Sequence, residues 1–249
     1  MIKFTDTQMH QEGEYDFPYH YLDLKADDYK YLRCIEYLSL LNKIKNLIKP
    51  FNGQKILDAG CGDGRFCYEL RNENIEIYGV DFSERAINFA KAFNPKAKLF
   101  VKDLKNLDLP HKFDYIVLIE TIEHFIPNDI EKILKNLSKL LKNDGKLIVT
   151  VPSKNLPLIK KHYQHFDEES LVKILKSYFN IINILGYSRK GFKRYLFIIL
   201  RRIGFLMFPL MNRIKIIKSY YKFLNSYYTK NLESGKASKC YGLIAICQK

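Results

Sequence analysis

The chain has 249 residues, of which 47% are hydrophobic and 27% are charged, and its formal net charge is +14. This balance is typical of a globular protein and excludes a disordered, collagen-like or low-complexity chain. The length suits one large domain, or one domain with a substantial insertion.

The first 52 residues are predicted to form an N-terminal cap. An aromatic segment, residues 15–21, comes first, and a helix from about residue 29 to 48 stops before Pro50. From residue 53 onward, apolar strands alternate with amphipathic helices. The predicted strands cover residues 55–59, 76–81, 97–102, 113–119, 146–151, 181–185 and 240–247. This alternation predicts an α/β fold, with a parallel sheet covered by helices on both faces.

Local signals mark several helix ends. Ser83 is predicted to cap the helix that runs to Phe93, and Asn128 forms a capping-box pattern with Glu131. The sequence Asn-Asp-Gly at 143–145 is predicted to end the second of these helices. Asp167 is predicted to cap the next helix, with a hydrophobic staple between residues 166 and 171.

The glycine-rich sequence at 60–64 is the sharpest motif. Gly60, Gly62 and Gly64 follow a predicted strand and open a helix, so the backbone can turn tightly against a ligand. A dinucleotide-binding loop would have glycine at position 65, where this chain has arginine. We therefore do not expect a pyrophosphate site.

Acidic residues follow the next two strands. Asp81 ends the second strand, where a carboxylate can accept hydrogen bonds from both hydroxyls of a ribose, and Phe82 can pack on an adenine. Asp103 follows the third strand, where it can meet the adenine amine. The carboxyl ends of parallel strands meet at one edge, so these groups predict a nucleoside site.

These motifs resemble those of the class I S-adenosylmethionine-dependent methyltransferases. The resemblance spans roughly residues 53–187 and the last strand. It implies a Rossmann-like, mostly parallel sheet of seven strands with an antiparallel last strand, and S-adenosyl-L-methionine as cofactor. Gly60 and Gly62 are then expected near the methionine part. The expected cofactor contacts within the matching motifs are Asp58, Gly60, Cys61, Gly62, Asp81, Phe82, Asp103, Leu104 and Glu120.

A possible set of metal ligands follows the fourth strand. Glu120, Glu123 and His124 form an E-x-x-E-H pattern, and His165 lies further along the chain. Two carboxylates and two imidazoles suit Mn²⁺, Fe²⁺ or Zn²⁺. The pattern is similar to that of methyltransferases of small-RNA 2′-hydroxyls and of ubiquinone-pathway O-methyltransferases. The alternative is that Glu120 contacts the cofactor and that Glu123 and His124 form a hydrogen-bonded turn or a general base.

An acceptor hydroxyl must lose a proton, and four residues are candidate bases or metal-assisted proton acceptors: Glu123, His124, His165 and His20. Sequence spacing does not choose among them. Tyr19 and Arg33 of the N-terminal cap are expected to fold over the methionine end of the cofactor; ordinary packing is the alternative.

The basic charge is concentrated in residues 188–237. This segment has 12 Lys and Arg residues against one acid, Glu233, and it separates the last two predicted strands. The simplest interpretation is a helical lid with solvated cations. The alternatives are attraction of a phosphate-bearing substrate and a helix on an anionic membrane surface.

The domain organisation that follows is a single methyltransferase domain. Residues 1–52 form its cap, 53–187 and 238–249 its Rossmann-like core, and 188–237 a basic helical insertion. The five cysteines include no CxxC pair and no signal sequence is recognised, so we expect free thiols in a cytoplasmic protein, with a peripheral membrane position as an alternative.

The predicted function is O-methylation of a small anionic acceptor, such as a phosphorylated or nucleotide-linked building block of a surface polysaccharide. The alternatives are RNA 2′-O-methylation, which has no RNA-binding motif to support it, and membrane-associated methylation of a quinone or lipid. A regulatory protein that binds the cofactor without turnover is the non-enzymatic alternative. The sequence contains no run of 18 uncharged apolar residues, so we expect no membrane-spanning helix.

Overall fold

The computed structural model describes residues 9, 12–13, 15–24, 29–207 and 214–249. Helices α1 to α7 of this part are Ile35–Ile48, Arg65–Glu69, Glu84–Phe93, Pro127–Leu140, Glu168–Leu175, Phe192–Met207 and Ile214–Asn231. Strands β1 to β8 are Lys55–Ala59, Glu76–Asp81, Lys98–Val101, Phe113–Ile119, Leu141–Pro152, Asn180–Arg189, Ser234–Gly235 and Cys240–Gln248. Two short 3₁₀ helices, Tyr19–Leu24 and Tyr29–Cys34, precede α1.

The strands form one sheet in the order β3-β2-β1-β4-β5-β8-β6-β7. Strands β1 to β5 pair in parallel, and β8 lies antiparallel between β5 and β6. The prediction of a Rossmann-like, mostly parallel sheet with an antiparallel last strand is confirmed. The sheet has one strand more than the seven predicted: β7, with two residues, pairs with β6 at the edge.

The central strands are apolar on both faces because helices cover both. In β4, Ile116 and Leu118 pack into one hydrophobic cluster with α4 and α5, while Val117 and Ile119 pack into another with α1, α2 and α3. Strand side chains alternate between the two faces of a sheet, so a nearly continuous apolar strand serves two cores. This arrangement places the carboxyl ends of β1, β2 and β4 along one edge.

The helix-end predictions have mixed outcomes. Ser83 caps α3 by accepting a hydrogen bond from the Ala86 N–H, and Asp167 caps α5 with a capping box. The capping box predicted for α4 is wrong, because that helix begins with Pro127 and has no side-chain cap bond. Proline suits the first helical position, where its missing N–H needs no partner. The turn predicted at 143–145 lies within β5 instead.

The basic insertion contains α6 and α7, which pack on the N-terminal part of the chain. Phe197 of α6 and Leu224 of α7 share a hydrophobic cluster with Leu32 and Ile35. The loop that joins the two helices, including Arg213, lies outside the described residues, as do the side chains at 214 and 215. Within the described residues, no helix has both the length and the apolar character needed to cross a membrane.

Glu36 of α1 anchors the insertion electrostatically. One of its carboxylate oxygens accepts a hydrogen bond from Arg194 at 2.7 Å, and the other accepts one from Arg201 at 3.1 Å. All three side chains are partly buried, so solvent screens these pairs less than it screens fully exposed ones.

Glu36→Gln should therefore loosen the attachment of α6 to α1. We expect a loss of about 2 kcal/mol in the free energy of unfolding, since the two guanidinium groups lose their charged partner. Hydrogen exchange should accelerate in α6 more than in β1 or β4. Glu131→Gln, at an exposed position on α4, is the control. Unchanged exchange in α6 would contradict the anchoring role.

Candidate active site

The loop after β1 brings the backbone itself to the wall of a cavity. Gly60 and Gly62 have φ values of +81° and +53°, in the left-handed region that favours glycine. A Cβ atom on Gly60 would lie 2.5 Å from the Thr121 side chain, and one on Gly62 would lie 2.5 Å from the Tyr15 hydroxyl. Larger residues would therefore displace their neighbours.

Asp81 ties this loop to the end of β2. Its Oδ2 accepts a hydrogen bond from the Gly62 N–H at 2.9 Å, and its Oδ1 accepts one from the Ser83 N–H at 2.9 Å. A carboxylate can accept about four hydrogen bonds, so both oxygens retain capacity for a ligand. Burial raises the pKa of Asp81 to about 6, although the two backbone donors oppose this shift.

Two more acids approach the same edge of the sheet. Asp58 is buried behind the loop, where it accepts a hydrogen bond from the Cys67 thiol, and burial with the nearby charge of Asp81 raises the pKa of Asp58 to about 8. Asp103 caps a 3₁₀ turn by accepting from the Lys105 N–H at 2.9 Å. Three acids thus follow or end three neighbouring strands.

Residues 15–20 of the N-terminal cap form another wall of the cavity, next to the glycine loop. His20 Nδ1 lies 2.9 Å from Oδ1 of the fully buried Asp63, and the His20 ring stacks on Tyr37 with 4.5 Å between ring centroids. Tyr19 packs against His20. In the tautomer in which His20 Nδ1 donates to Asp63 Oδ1, the other ring nitrogen, Nε2, is the acceptor.

Arg65 holds this segment in place. Its buried guanidinium forms hydrogen bonds with both carboxylate oxygens of Asp23 and an ion pair with Glu69. This role explains why arginine stands where a dinucleotide-binding loop would have glycine. The expectation for Arg33 is not met in this structure, because its guanidinium lies over the Phe205 ring of the insertion, 5.4 Å from the centroid, and does not line the cavity.

Glu120 occupies a strained position at the end of β4, with φ at +49°. Its Oε1 accepts hydrogen bonds from the Tyr187 hydroxyl at 2.6 Å and from the Thr150 hydroxyl at 3.1 Å. Burial raises the pKa of Glu120, while these two donors oppose the shift. Glu120 is therefore directed towards β5 and β6.

The structure groups a different set of possible metal ligands from the one expected. Glu123, His124 and His162 each place a ligand atom within 4.8 Å of the others, and within the described residues Glu120 and His165 are not part of this cluster. Both carboxylate oxygens of Glu123 are buried without a hydrogen-bond partner. His162, for which no role was predicted, takes the place expected for His165.

Hydrogen bonds to backbone and to a third imidazole orient the two rings. His124 Nδ1 donates to the Lys161 carbonyl at 2.9 Å, and His165 Nδ1 donates to the Leu156 carbonyl at 3.1 Å. His165 Nε2 then accepts from His162 Nδ1 at 2.8 Å. In neutral rings, both His124 and His162 therefore have Nε2 as the acceptor atom. His165 orients the His162 ring through its hydrogen bond to Nδ1.

Burial dominates the electrostatics of the cluster, and the positive charge of Lys161 opposes it only in part at Glu123. Burial, reinforced by the nearby Glu120, raises the pKa of Glu123 well above its ordinary value. Burial, with the neighbouring His124 and His165, lowers the pKa of His162 to about 3. His162 is therefore neutral at physiological pH and is a poor proton acceptor, but its lone pair is available to a metal ion.

These elements enclose a cavity of about 310 Å³ at the carboxyl edge of the sheet. The sequence-predicted residues that line it are Tyr19, His20, Asp58, Gly60, Cys61, Gly62, Asp81, Phe82, Asp103, Leu104, Glu120, Glu123 and His124. No functional role was predicted for Asp63, Tyr37, Lys102, Lys161 or His162. Three of them had a sequence signal: Asp63 lies inside the glycine motif, Lys102 directly precedes Asp103, and His162 lies three residues before His165.

Comparison with known proteins gives the family. Residues 28–181 match the model of a methyltransferase domain family. The chain belongs to this family. It is 35% identical over 118 residues to the ubiquinone biosynthesis O-methyltransferase of Pelagibacter ubique, and the match covers 46% of this chain and 48% of that protein. The chain therefore spans about half the length of this methyltransferase relative.

Solved structures share the fold over nearly the whole chain. A TehB-like S-adenosylmethionine-dependent methyltransferase from Corynebacterium glutamicum aligns with a TM-score of 0.60 at 18% identity, covering 97% of this chain and 99% of that one. The N-methyltransferase NodS from Bradyrhizobium japonicum, solved with S-adenosylhomocysteine, also aligns with a TM-score of 0.60, at 13% identity, covering 98% and 99%. Both alignments therefore extend over almost the whole of each chain.

The buried carboxyl of Glu123, which has no hydrogen-bond partner among the described residues, should make the metal-free protein less stable at high pH. Its raised pKa means that the folded state holds a proton that the unfolded state has released, so the free energy of unfolding falls as pH rises above the ordinary pKa of glutamate. In EDTA, Glu123→Gln should raise the free energy of unfolding at pH 8 by about 2 kcal/mol and change it little at pH 5.

Urea denaturation at the two pH values measures this difference, with Glu131→Gln as the exposed control. Equal destabilisation of the Glu123→Gln variant at both pH values would mean that the Glu123 carboxyl has a stabilising partner in the folded protein.

Proposed function

We propose that this methyltransferase binds S-adenosyl-L-methionine and transfers its methyl group to an oxygen atom of a small acceptor. The observation that carries the proposal is Asp81, a buried carboxylate hydrogen-bonded to the glycine loop with acceptor capacity facing the cavity. A ribose offers two adjacent hydroxyl donors to such a group. Neighbouring structures described with S-adenosylmethionine or S-adenosylhomocysteine support the choice of ligand.

The rest of the cavity fits the other parts of the donor. Phe82 and Leu104 offer apolar surface for the adenine, and Asp103 offers an acceptor for its amine. At the opposite side, the backbone at Gly60 and Gly62 and the ring of Tyr19 surround the space for the methionine part. The sulfonium is already activated, so the cavity has to align the acceptor with the methyl group and exclude water.

Two imidazoles are placed to take the proton from an acceptor hydroxyl. His20 is oriented by Asp63 and His124 by the Lys161 carbonyl, and in each neutral ring Nε2 is the acceptor atom. His165 does not line the cavity, and its Nε2 already accepts from His162. A pH profile of turnover for His20→Asn and His124→Asn assigns the base, since only loss of the base removes the acidic limb of the profile.

Glu123, His124 and His162 fit a divalent ion such as Mn²⁺, Fe²⁺ or Zn²⁺. The fit rests on the carboxylate of Glu123, which is buried without a hydrogen-bond partner and lies 4.0 Å from His124 Nε2, and on two imidazoles whose Nδ1 atoms are already hydrogen-bonded. When bound, such an ion would polarise an acceptor oxygen. Glu120 would then remain hydrogen-bonded to Tyr187 and help to shape the cavity wall.

Mn²⁺ should bind the wild-type protein, and Glu123→Gln and His162→Ala should each weaken its affinity at least tenfold. His165→Ala should weaken it less, because His165 only orients a ligand. His111→Asn, outside the cluster, is the control. Calorimetry on protein purified without a His-tag measures the affinities. No heat with wild type, or equal affinity in all four variants, would remove the metal from the proposal.

The proposed acceptor is a small anionic molecule, such as a phosphorylated or nucleotide-linked precursor of a surface polysaccharide. Lys102 and Lys161 line the cavity and supply positive charge there. A second candidate is a phenolic quinone precursor, which the name of the Pelagibacter relative favours. We place the reaction in the cytoplasm, where the five buried thiols stay reduced.

Transfer of labelled methyl groups from S-adenosylmethionine to a panel of acceptors tests the reaction. The panel contains sugar nucleotides, sugar phosphates, catechols and an RNA oligonucleotide. We expect turnover with a phosphate-bearing small acceptor. Turnover with catechols alone would favour the second candidate, and turnover with RNA alone would contradict both.

S-Adenosylhomocysteine should bind the protein, and its affinity should fall as pH decreases through about 6. The reason is that protonated Asp81 loses acceptor capacity for the ribose hydroxyls. Asp81→Asn should weaken binding at least tenfold at pH 7.5 and flatten this pH dependence. Asp144→Asn, at an exposed position, is the control. Calorimetry measures both; wild-type affinity for Asp81→Asn would exclude the assigned ribose contact.

A further inference from the structure

Helix α6 has two apolar faces, and the described residues cover only one of them. Phe197 and Gly204 are buried on the face that packs against α7 and the N-terminal cap. Phe192, Tyr195 and Leu206 are 78%, 64% and 73% exposed. A surface helix of a globular protein ordinarily has a single apolar stripe, directed at the core.

The exposed residues form one continuous stripe. Positions 192, 195, 203 and 206 fall within less than a quarter of the helix circumference at 100° per residue, on the side away from Phe197. Ile203 is 45% exposed and Met207, at the end of the helix, is 48% exposed. The stripe runs for four turns, about 21 Å.

Arg202 borders this stripe, since it lies about 20° of the helix circumference from Tyr195, and no acidic residue of α6 interrupts the stripe. Neither α6 nor α7 contains Asp or Glu. Arg194 and Arg201 are directed inward to Glu36, whereas Arg202 of α6 and Lys218 and Lys222 of α7 are exposed. Exposed aromatic and aliphatic groups bordered by cations are complementary to an interface that is apolar inside and anionic at its surface.

We propose that α6 lies on an anionic phospholipid bilayer, with the stripe of Phe192, Tyr195, Ile203 and Leu206 among the acyl chains and headgroups. A second copy of the chain is a poorer occupant, because two acid-free, basic surfaces would face each other across a symmetric contact. The described residues of the insertion do not line the donor cavity, so this surface can bind lipid whatever acceptor the enzyme uses.

Sedimentation with extruded vesicles tests the proposal. Wild-type protein should bind vesicles of phosphatidylglycerol and phosphatidylcholine at least tenfold more tightly than vesicles of phosphatidylcholine alone, and added salt should weaken the binding. Phe192→Ser/Leu206→Ser should lower the partition coefficient at least tenfold, and Arg202→Glu/Lys218→Glu should abolish the preference for the anionic lipid. Ile182→Ser, which removes a 52% exposed residue of β6, should change neither.

Calorimetry with S-adenosylhomocysteine and thermal unfolding on the same preparations show that each variant is folded. If S-adenosylhomocysteine fails to bind, that result counts against the proposed reaction but does not affect the test of the membrane surface. Two results would overturn the membrane surface: absence of vesicle binding by wild type, or binding that the Phe192→Ser/Leu206→Ser variant retains. Dimerisation of wild type that this variant abolishes, without vesicle binding, would assign the stripe to self-association.

Discussion

Two hydrogen bonds to the Asp81 carboxylate hold the active-site edge of the sheet together. One comes from the Gly62 N–H of the loop after β1, and the other from the Ser83 N–H that opens α3. They join the ends of two neighbouring strands through a buried charge. Because the carboxylate is shielded from water, its hydrogen bonds to the two backbone N–H groups are electrostatically stronger than they would be in water. The hydroxyls of a ribose would complete its hydrogen bonding. The shape of the donor cavity depends on this junction.

The N-terminal cap depends on the same loop. Asp63 of the loop orients His20, and Arg65 at the start of α2 holds Asp23, so two residues only two positions apart fix the segment that covers the cavity. The cap in turn packs against α6 and α7 through Leu32 and Ile35. A single chain of contacts therefore links the glycine loop, the cap and the basic insertion, while the insertion leaves one apolar face exposed.

The sequence was sufficient to predict most of the fold. Five strands of parallel sheet follow from short apolar segments between turn residues, and Ser83 and Asp167 were recognised as caps from local pattern alone. The α4 cap was missed because Pro127 competes with the Asn128 signal one residue later. The direct passage from α4 into β5 could not be predicted from the turn-like sequence at 143–145. Leu141 already pairs with Phe113 of β4, and the register shifts before Lys146 pairs with Tyr115.

Site residues at the ends of strands could be predicted from their motifs. Site residues on loops were harder to predict, because their positions depend on tertiary contacts. Gly60, Asp81 and Asp103 were placed correctly at the cavity because parallel strands share an edge. Arg33 was misplaced, since its direction depends on packing with the insertion. His162 and His165 lie three residues apart on one loop, and only tertiary contacts show which one faces Glu123.

The central claim is that the loop at residues 60–64 and Asp81 hold the methyl donor. A crystal structure of the protein with S-adenosylhomocysteine tests it most directly. We predict that the ribose hydroxyls lie within hydrogen-bond distance of both Asp81 carboxylate oxygens, with the adenine beside Phe82 and Asp103. A ligand bound at another place, or with its ribose directed away from Asp81, would contradict the account.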